Sequence, residues 1–397
     1  MTTVTATPVA IVGAGPAGLM LSHRLAQRGI DSVAIDTRTR REIETTHRAG
    51  ILEADSAQML LDGVSDRILR DGYEHEGVEL RLHGQGHRID FRELVGASVW
   101  LYPQTDVFID LADARERDGG TVHFGVTDVA VSGIESDSPV VGFTDADGQR
   151  HELRAQVVVG SDGSRSQCRK LVPEARRRIY GKEYPFAWFG ILCEAPMSAP
   201  ELIYAQSSRG FALISQRTES LQRMYLQCDP DEDVDAWSED QIWSELQARV
   251  AGDGFELRTG PIVERARLNF RSFVQEPMSH GRLVLAGDAA HTVPPTGAKG
   301  LNLALADVKV LAEVLEQAFG TGDLAVLDTY GPRALARVWR AQNFSYWMTQ
   351  MLHTPPGADA FDVRRQMGEL ETVTSTVQGR AYVAECYTGW PSHPVAG

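Results

Sequence analysis

Residues 9–18 read Val9-Ala10-Ile11-Val12-Gly13-Ala14-Gly15-Pro16-Ala17-Gly18, an apolar run passing straight into a GxGxxG pattern. An uninterrupted apolar run suits a strand covered on both faces. Leu19, Leu21 and Leu25 follow at amphipathic spacing until Gly29, which reads as a helix and its stop. A second run, Ser32-Val-Ala-Ile35, ends on Asp36, about 20 residues past the glycines, where the dinucleotide fingerprint places its acid. In such a unit the first helix amides hold a pyrophosphate and the carboxylate holds ribose hydroxyls. Gly13, Gly15, Ala17, Gly18 and Asp36 are therefore candidate cofactor-binding residues. A lone GxGxxG carries little weight; a strand before it, a helix after it and an acid in place carry much more. No second GxGxxG occurs, so a second dinucleotide would bind elsewhere.

A second unusual stretch is Gly287-Asp288-Ala-Ala-His291-Thr-Val-Pro294-Pro295-Thr296-Gly297-Ala298-Lys299-Gly300-Leu301-Asn302. It follows the apolar run 283–286 and precedes a helical pattern over 303–319 that stops before Gly320. Two prolines stiffen the loop, and two glycines let a flat ligand approach the backbone. Free amides near 298–302 make a positive helix end. Such an end favours the anionic reduced form of an isoalloxazine by about 0.3–1 kcal/mol. Asp288 is placed to accept hydrogen bonds from sugar-type hydroxyls. An ordinary strand–loop–helix connection is the alternative.

Between these stretches the pattern changes. Residues 38–53 are rich in charge; Arg48 is either a diphosphate contact or a solvated arginine. His75 is isolated, and a lone histidine is more often structural. Gln104 and Thr105 open a helix over 106–117. Short strands are expected at 121–124 and 140–143. The apolar run 156–159 leads into Asp162-Gly163 and reads as another edge of the parallel sheet. From 184 to 229 the period becomes two, as in antiparallel strands. Alternation puts Leu213, Ser215 and Arg217 on one face, and Arg223 with Tyr225 on another. Ser215 beside Arg217 offers a hydroxyl and a guanidinium fork, a pair able to hold a carboxylate. An exposed polar sheet face is the alternative. An amphipathic helix around 237–250 and an aromatic-rich helical tail from 329 complete the chain.

With 397 residues, 43% hydrophobic, the chain can bury a large core in two or three units. Its 39 basic against 54 acidic residues give a net charge of −15, which disfavours nucleic acid. No apolar run reaches membrane-spanning length, and residues 1–8 lack a signal core. Cys168, Cys193, Cys228 and Cys386 show no metal or redox spacing, so no metal is expected and a cytoplasmic location fits.

Taken together, the stretches 13–18, 48–53, 70–78, 162–163, 209–217 and 287–302 resemble the FAD-dependent aromatic hydroxylases, and within them those acting on 4-hydroxybenzoate. The resemblance runs almost end to end. It implies an α/β fold: a Rossmann-like parallel-sheet FAD-binding domain interleaved with a mainly antiparallel substrate domain, and a C-terminal helical region. The implied divisions are 1–180, with substrate-domain insertions near 73–100, then 181–280, 281–320 returning to the FAD domain, and 321–397. The implied activity is hydroxylation of 4-hydroxybenzoate to 3,4-dihydroxybenzoate with O2 and NADH or NADPH, through a flavin C4a-hydroperoxide and the substrate phenolate. Hydroxylation of another substituted benzoate, or flavin binding without turnover, are the alternatives.

The resemblance also implies roles. Ser215, Arg217 and Tyr225 would bind the carboxylate. Tyr204 would meet the phenol oxygen, with Tyr387 behind it, His75 relaying the proton and the Pro295 carbonyl facing the same hydroxyl. Arg48, Gln104, Arg223, Asp288, Gly300, Leu301 and Asn302 would hold or position the flavin. Arg38, Glu42, Thr46, Arg165 and Arg169 would face the pyridine nucleotide. Here the sequence departs from the pattern: Glu42, Glu44 and Thr46 replace a tyrosine, a leucine and an arginine, Arg165 replaces a histidine, and Pro103 replaces a glycine beside Gln104. Acidic groups repel a 2′-phosphate and favour NADH, whereas Arg38, Arg40 and Arg41 favour NADPH. A homodimer is implied by the resemblance alone.

Overall fold

The computed structural model describes residues 2–46 and 50–390. Among the described residues, one sheet runs Ser279–His280, Leu283–Leu285, Arg150–Gly160, Thr2–Val12, Ser32–Asp36, Thr121–Phe124. Along this path the neighbours are parallel except for the antiparallel pair at the Ser279–His280 edge, while off it Val140–Thr144 runs antiparallel to Arg150–Gly160 and to Thr127–Ser132. Val9, Ala10 and Ile11 are fully buried, as a strand covered on both faces requires. The helices Pro16–Ala26, Gln104–Arg117 and Gly300–Thr321 pack together against this sheet.

The stretch around 156–159 is not an edge. It belongs to the strand Arg150–Gly160, which lies between Thr2–Val12 and Leu283–Leu285. Its first half also pairs with Val140–Thr144. The polar first half, Arg150-His-Glu-Leu-Arg154, hides a strand of 11 residues from a search for apolar runs. The helix expected to stop before Gly320 continues to Thr321 and ends where Gly322 takes φ +70°, a left-handed conformation that suits glycine.

Among the described residues, the second large sheet runs Ile262–Leu268, Ala187–Glu194, Leu221–Cys228, Gly210–Thr218, Ile203–Ser207, Gly77–Leu82, Gln85–Asp90. All its pairs are antiparallel except Ile203–Ser207 with Gly77–Leu82. The helix Glu239–Val250 covers one face with Ile242, Leu246 and Val250. The other face carries Trp188, Tyr204, Leu213 and Tyr225, and packs with the C-terminal helices Tyr330–Leu352, Ala360–Ser375 and Val377–Thr388.

The register corrects one expectation. Leu213 pairs with Tyr225 and Ser215 with Arg223. Directly paired residues project to the same side of a sheet. Arg223 and Tyr225 therefore share the face of Ser215 and Arg217 instead of lying on another. Alternation within a strand fixes which residues go together; only the hairpin turn sets the phase between two strands.

Candidate active site

A single cavity of about 1180 Å³ joins the two sheets, lined at one end by Gly13, Gly15 and Asp36 and at the other by Ser215, Arg217 and Tyr225. At the glycine end the first strand delivers the chain into the helix Pro16–Ala26, whose N-cap is Gly15 and which opens on Pro16. A Cβ on Gly15 would meet no protein atom within 4 Å, so the space this glycine leaves is open, on the wall of the cavity. Gly13, also on the wall, is needed for packing as well: with φ +108°, its Cβ would fall 2.3 Å from the Ser161 carbonyl oxygen. The Asp36 carboxylate accepts from the amides of Ala14 at 3.0 Å and Arg38 at 2.9 Å, fixing the turn.

The loop 287–299 brings Asp288, Pro295 and Ala298 to the cavity wall. Gly300, Leu301 and Asn302 start the next helix, so their amides lack intrahelical acceptors. A Cβ on Gly300, too, would meet nothing. Beneath the loop, one Asp307 oxygen accepts from the Gly287 amide at 2.9 Å and from His291 Nε2 at 2.6 Å. Burial alone would lower the pKa of His291, but Asp307 outweighs it and the pKa is raised. The imidazolium contribution to stability is thus complete below the unfolded pKa of about 6.5 and is lost as pH rises through the native value. Asp307→Asn removes one charge of a buried pair and should cost on the order of 3–5 kcal/mol. Urea unfolding at pH 6 measures it.

At the other end, the Ser215 hydroxyl donates to the Arg223 carbonyl at 2.8 Å. Arg217 is accessible only in part, yet the protein around it is dense. Burial lowers its pKa, and Tyr225 offsets this while Arg223 adds to it. Among the described residues no carboxylate pairs with Arg217. A desolvated guanidinium on a cavity wall without an anion is a strong anion site. Tyr204 is fully buried, and its hydroxyl lies 2.8 Å from that of Tyr387. Burial pushes both phenols up, so each keeps its proton at neutral pH.

The remaining expected residues divide. Gln104, Arg38, Thr46 and Arg165 line the cavity, together with Ala17 and Leu301. Gly18 does not line it; a Cβ there would fall 1.9 Å from the Gly13 carbonyl oxygen, so it is a packing residue. Arg48 lies outside the described residues. The Asn302 side chain does not reach the cavity: it bonds the Glu53 amide and the carbonyls of Ile51 and Ala298. Arg223 pairs with Glu264 at 2.9 Å and does not line the cavity. Arg169 lies over the Phe273 ring at 4.6 Å and donates to Ser164, also outside the lining. Glu42 spends its carboxylate on the Thr39 amide and hydroxyl, at 2.7 and 2.8 Å, closing a capping box. His75 bonds Gln216 at 2.8 Å, and among the described residues no direct hydrogen bond links it to Tyr387.

Sequence reading missed part of the wall. Trp188 and Leu202 line the cavity beside Leu213 and Tyr225. Gly190 gives the Tyr225 ring its room, since a Cβ there would come 3.1 Å from Tyr225 Cε1. Lys299 is 1% exposed and bonds Glu53 and the Tyr387 carbonyl, both at 2.8 Å, tying the loop to the last helix. A lysine between two small residues in a rigid loop was the available signal.

An open dinucleotide cradle, two helix ends and a guanidinium with no carboxylate partner among the described residues line one cavity, an arrangement suited to a nucleotide cofactor beside an anion. The chain belongs to the FAD binding domain family, which matches residues 6–345, and within it to the FAD-dependent aromatic hydroxylases; it is a monooxygenase with FAD as cofactor. It is 40% identical over 388 residues to the p-hydroxybenzoate hydroxylase of Acinetobacter baylyi, across 97% of this chain and 96% of that one. It is 29% identical to a 3-(3-hydroxy-phenyl)propionate/3-hydroxycinnamic acid hydroxylase of Burkholderia cenocepacia, over 82% of this chain and 60% of that one. The fold is shared with the crystal structure of p-nitrophenol 4-monooxygenase from Pseudomonas putida, at a TM-score of 0.81 and 19% identity, over 98% of this chain and 100% of that one.

Proposed function

We propose that this protein converts 4-hydroxybenzoate, O2, NAD(P)H and a proton to 3,4-dihydroxybenzoate, water and NAD(P)+. The observation that carries this reading is Arg217, which has no carboxylate partner among the described residues, with Ser215 and Tyr225 on the same cavity as the buried Tyr204–Tyr387 pair. A carboxylate on the first group and a phenol at the second describe a para-hydroxylated benzoate, and the relative of 40% identity carries that substrate in its name.

Gly13, Gly15, Ala17 and Asp36 would hold the dinucleotide part of FAD, and Asp288, Pro295 and the amides of 300–302 its ring end. Bound FAD supplies electron transfer from NAD(P)H and activation of O2. The protein supplies the rest. Arg217 and Tyr225 fix the carboxylate, and Ser215 joins them by turning its hydroxyl proton from the Arg223 carbonyl to the ligand; Trp188, Leu202 and Leu213 exclude water from the ring. A free phenol has a pKa of about 10 and is a weak nucleophile until its proton is drawn away. Tyr204 takes a hydrogen bond from the substrate hydroxyl and passes its own to Tyr387, so charge accumulates on the substrate oxygen and its ortho carbon. The Pro295 carbonyl faces the same hydroxyl.

We also propose that the chain divides near 180, 280 and 320 as the resemblance implies. It would act as a cytoplasmic homodimer. The free cysteines fit that compartment, and exposed Trp339, Tyr346 and Phe361 on the C-terminal helices fit the dimer. Glu44, Asp113 and Glu116 neutralise Arg40, and Arg38 leans on Asp36. Two of the three arginines that would favour a 2′-phosphate are thus engaged. NADH should exceed NADPH in kcat/KM by about tenfold, or 1.4 kcal/mol. Steady-state rates with each coenzyme, at saturating 4-hydroxybenzoate and with product quantified, test donor and substrate together. Coenzyme oxidation that 4-hydroxybenzoate does not stimulate would reject the substrate; equal or greater efficiency with NADPH would reject the donor preference.

A further inference from the structure

We infer that His353 is a positioning residue for the aromatic acid: it holds the Trp188 indole as an apolar wall with its N–H turned away from the substrate space. This rests on reading that end of the cavity as the benzoate site.

Trp188 lines the cavity beside Tyr225, with ring centroids 4.8 Å apart. A tryptophan on such a wall presents a wide apolar plane and one hydrogen-bond donor. Left without a partner, that donor would seek water or substrate oxygen, and the plane would turn with it. Here the indole Nε1 donates to His353 Nε2 at 2.6 Å, and the two ring planes agree within 9°. His353 does not line the cavity.

The histidine is itself fixed on all sides. Its Nδ1 lies 2.9 Å from the Thr349 carbonyl, which can only accept, so Nδ1 carries the proton and Nε2 the lone pair. Phe186 stacks on the ring at 4.6 Å and 8°, and Phe211 lies 4.3 Å away. The His353 carbonyl accepts from Gln366, and Gln227 straps the neighbouring Thr354. Burial, opposed by the Thr349 bond and reinforced by Arg249, pushes the imidazole down to about 3. The acceptor therefore does not switch off at working pH. A leucine or phenylalanine here would pack as well but would not accept.

Asparagine and glutamine separate acceptor from bulk. Asn reproduces the Nδ1 position and Gln the Nε2 position. His353→Asn should weaken 4-hydroxybenzoate binding about tenfold, one decade for a lost buried partner, read from the flavin absorbance change of the holoenzyme. It should also raise the hydrogen peroxide fraction. His353→Gln should bind within about twofold of the parent, and FAD retention should match the parent in both. In a Trp188→Phe background, which has no indole donor, His353→Asn should add nothing. Equal binding by parent and His353→Asn overturns the inference, as does equal weakening in the Asn and Gln variants. If His353→Asn does not fold, the wild-type holoenzyme decides. Its Trp188 indole proton, assigned by its loss in Trp188→Phe, should be shifted downfield and exchange slowly from pH 5.5 to 9. Exchange as fast as in an exposed tryptophan overturns it. If the parent itself does not bind 4-hydroxybenzoate, the substrate reading has failed instead.

Discussion

Arg217→Ala should weaken 4-hydroxybenzoate by about 3 kcal/mol, on the order of 100-fold in Kd. The guanidinium is largely desolvated and no carboxylate among the described residues neutralises it. An incoming carboxylate gains a charge-assisted fork without competing with a carboxylate of the protein, and Tyr225 already lies against the guanidinium. Removing the fork leaves Ser215, whose hydroxyl proton goes to the Arg223 carbonyl, and the Tyr225 phenol. Arg217→Lys should recover part of the loss, since an ammonium restores charge but not the two-point geometry. FAD retention should be unchanged, because the cradle is built from other elements. Titration of the holoenzyme by flavin absorbance gives both answers, and equal affinity in parent and mutant would remove Arg217 from the site.

Tyr204→Phe should keep coenzyme oxidation and lose the product. The Tyr204 hydroxyl is buried and 2.8 Å from Tyr387, so in the parent it links the substrate oxygen to a second hydroxyl. Neither tyrosine ionises readily, because burial raises both. The pair therefore acts as a hydrogen-bond chain that shares the departing proton instead of as a fixed base. Interrupting it leaves a neutral phenol with a weakly nucleophilic ortho carbon. Positioned proton transfer is worth 10²–10⁴-fold, so 3,4-dihydroxybenzoate per coenzyme should fall below about one tenth of the parent yield. Hydrogen peroxide should account for the difference. Chromatographic product yield measured with peroxide is the check, and an undiminished yield would reject the role.

The two ends of the cavity were legible for different reasons. Gly13, Gly15 and Asp36 follow from local rules, because the strand, turn and helix that use them are contiguous. Ser215 and Arg217 were legible as a pair because they sit two apart on one strand. The placement of Arg223 and Tyr225 was not, since the register across the hairpin is a tertiary fact. Trp188 and Leu202 were invisible for a related reason: one lies in a strand and the other just before one, each an ordinary core residue in its own segment, and they meet the cavity only when the strands assemble. Asn302 and Glu42 show the opposite case for their side chains. Each is polar and well placed in sequence, but nearby backbone amides and carbonyls claim its side chain first. His75 shows the same competition, its ring nitrogen going to Gln216.

The central claim is that the anion-binding face of the antiparallel sheet and the dinucleotide cradle serve one reaction space. A crystal structure of the protein with FAD and 4-hydroxybenzoate tests this most directly. The account predicts the carboxylate on Arg217, Ser215 and Tyr225, the hydroxyl against Tyr204, and the ring beside the flavin. A ligand bound elsewhere, with Arg217 turned to bulk water, would contradict it.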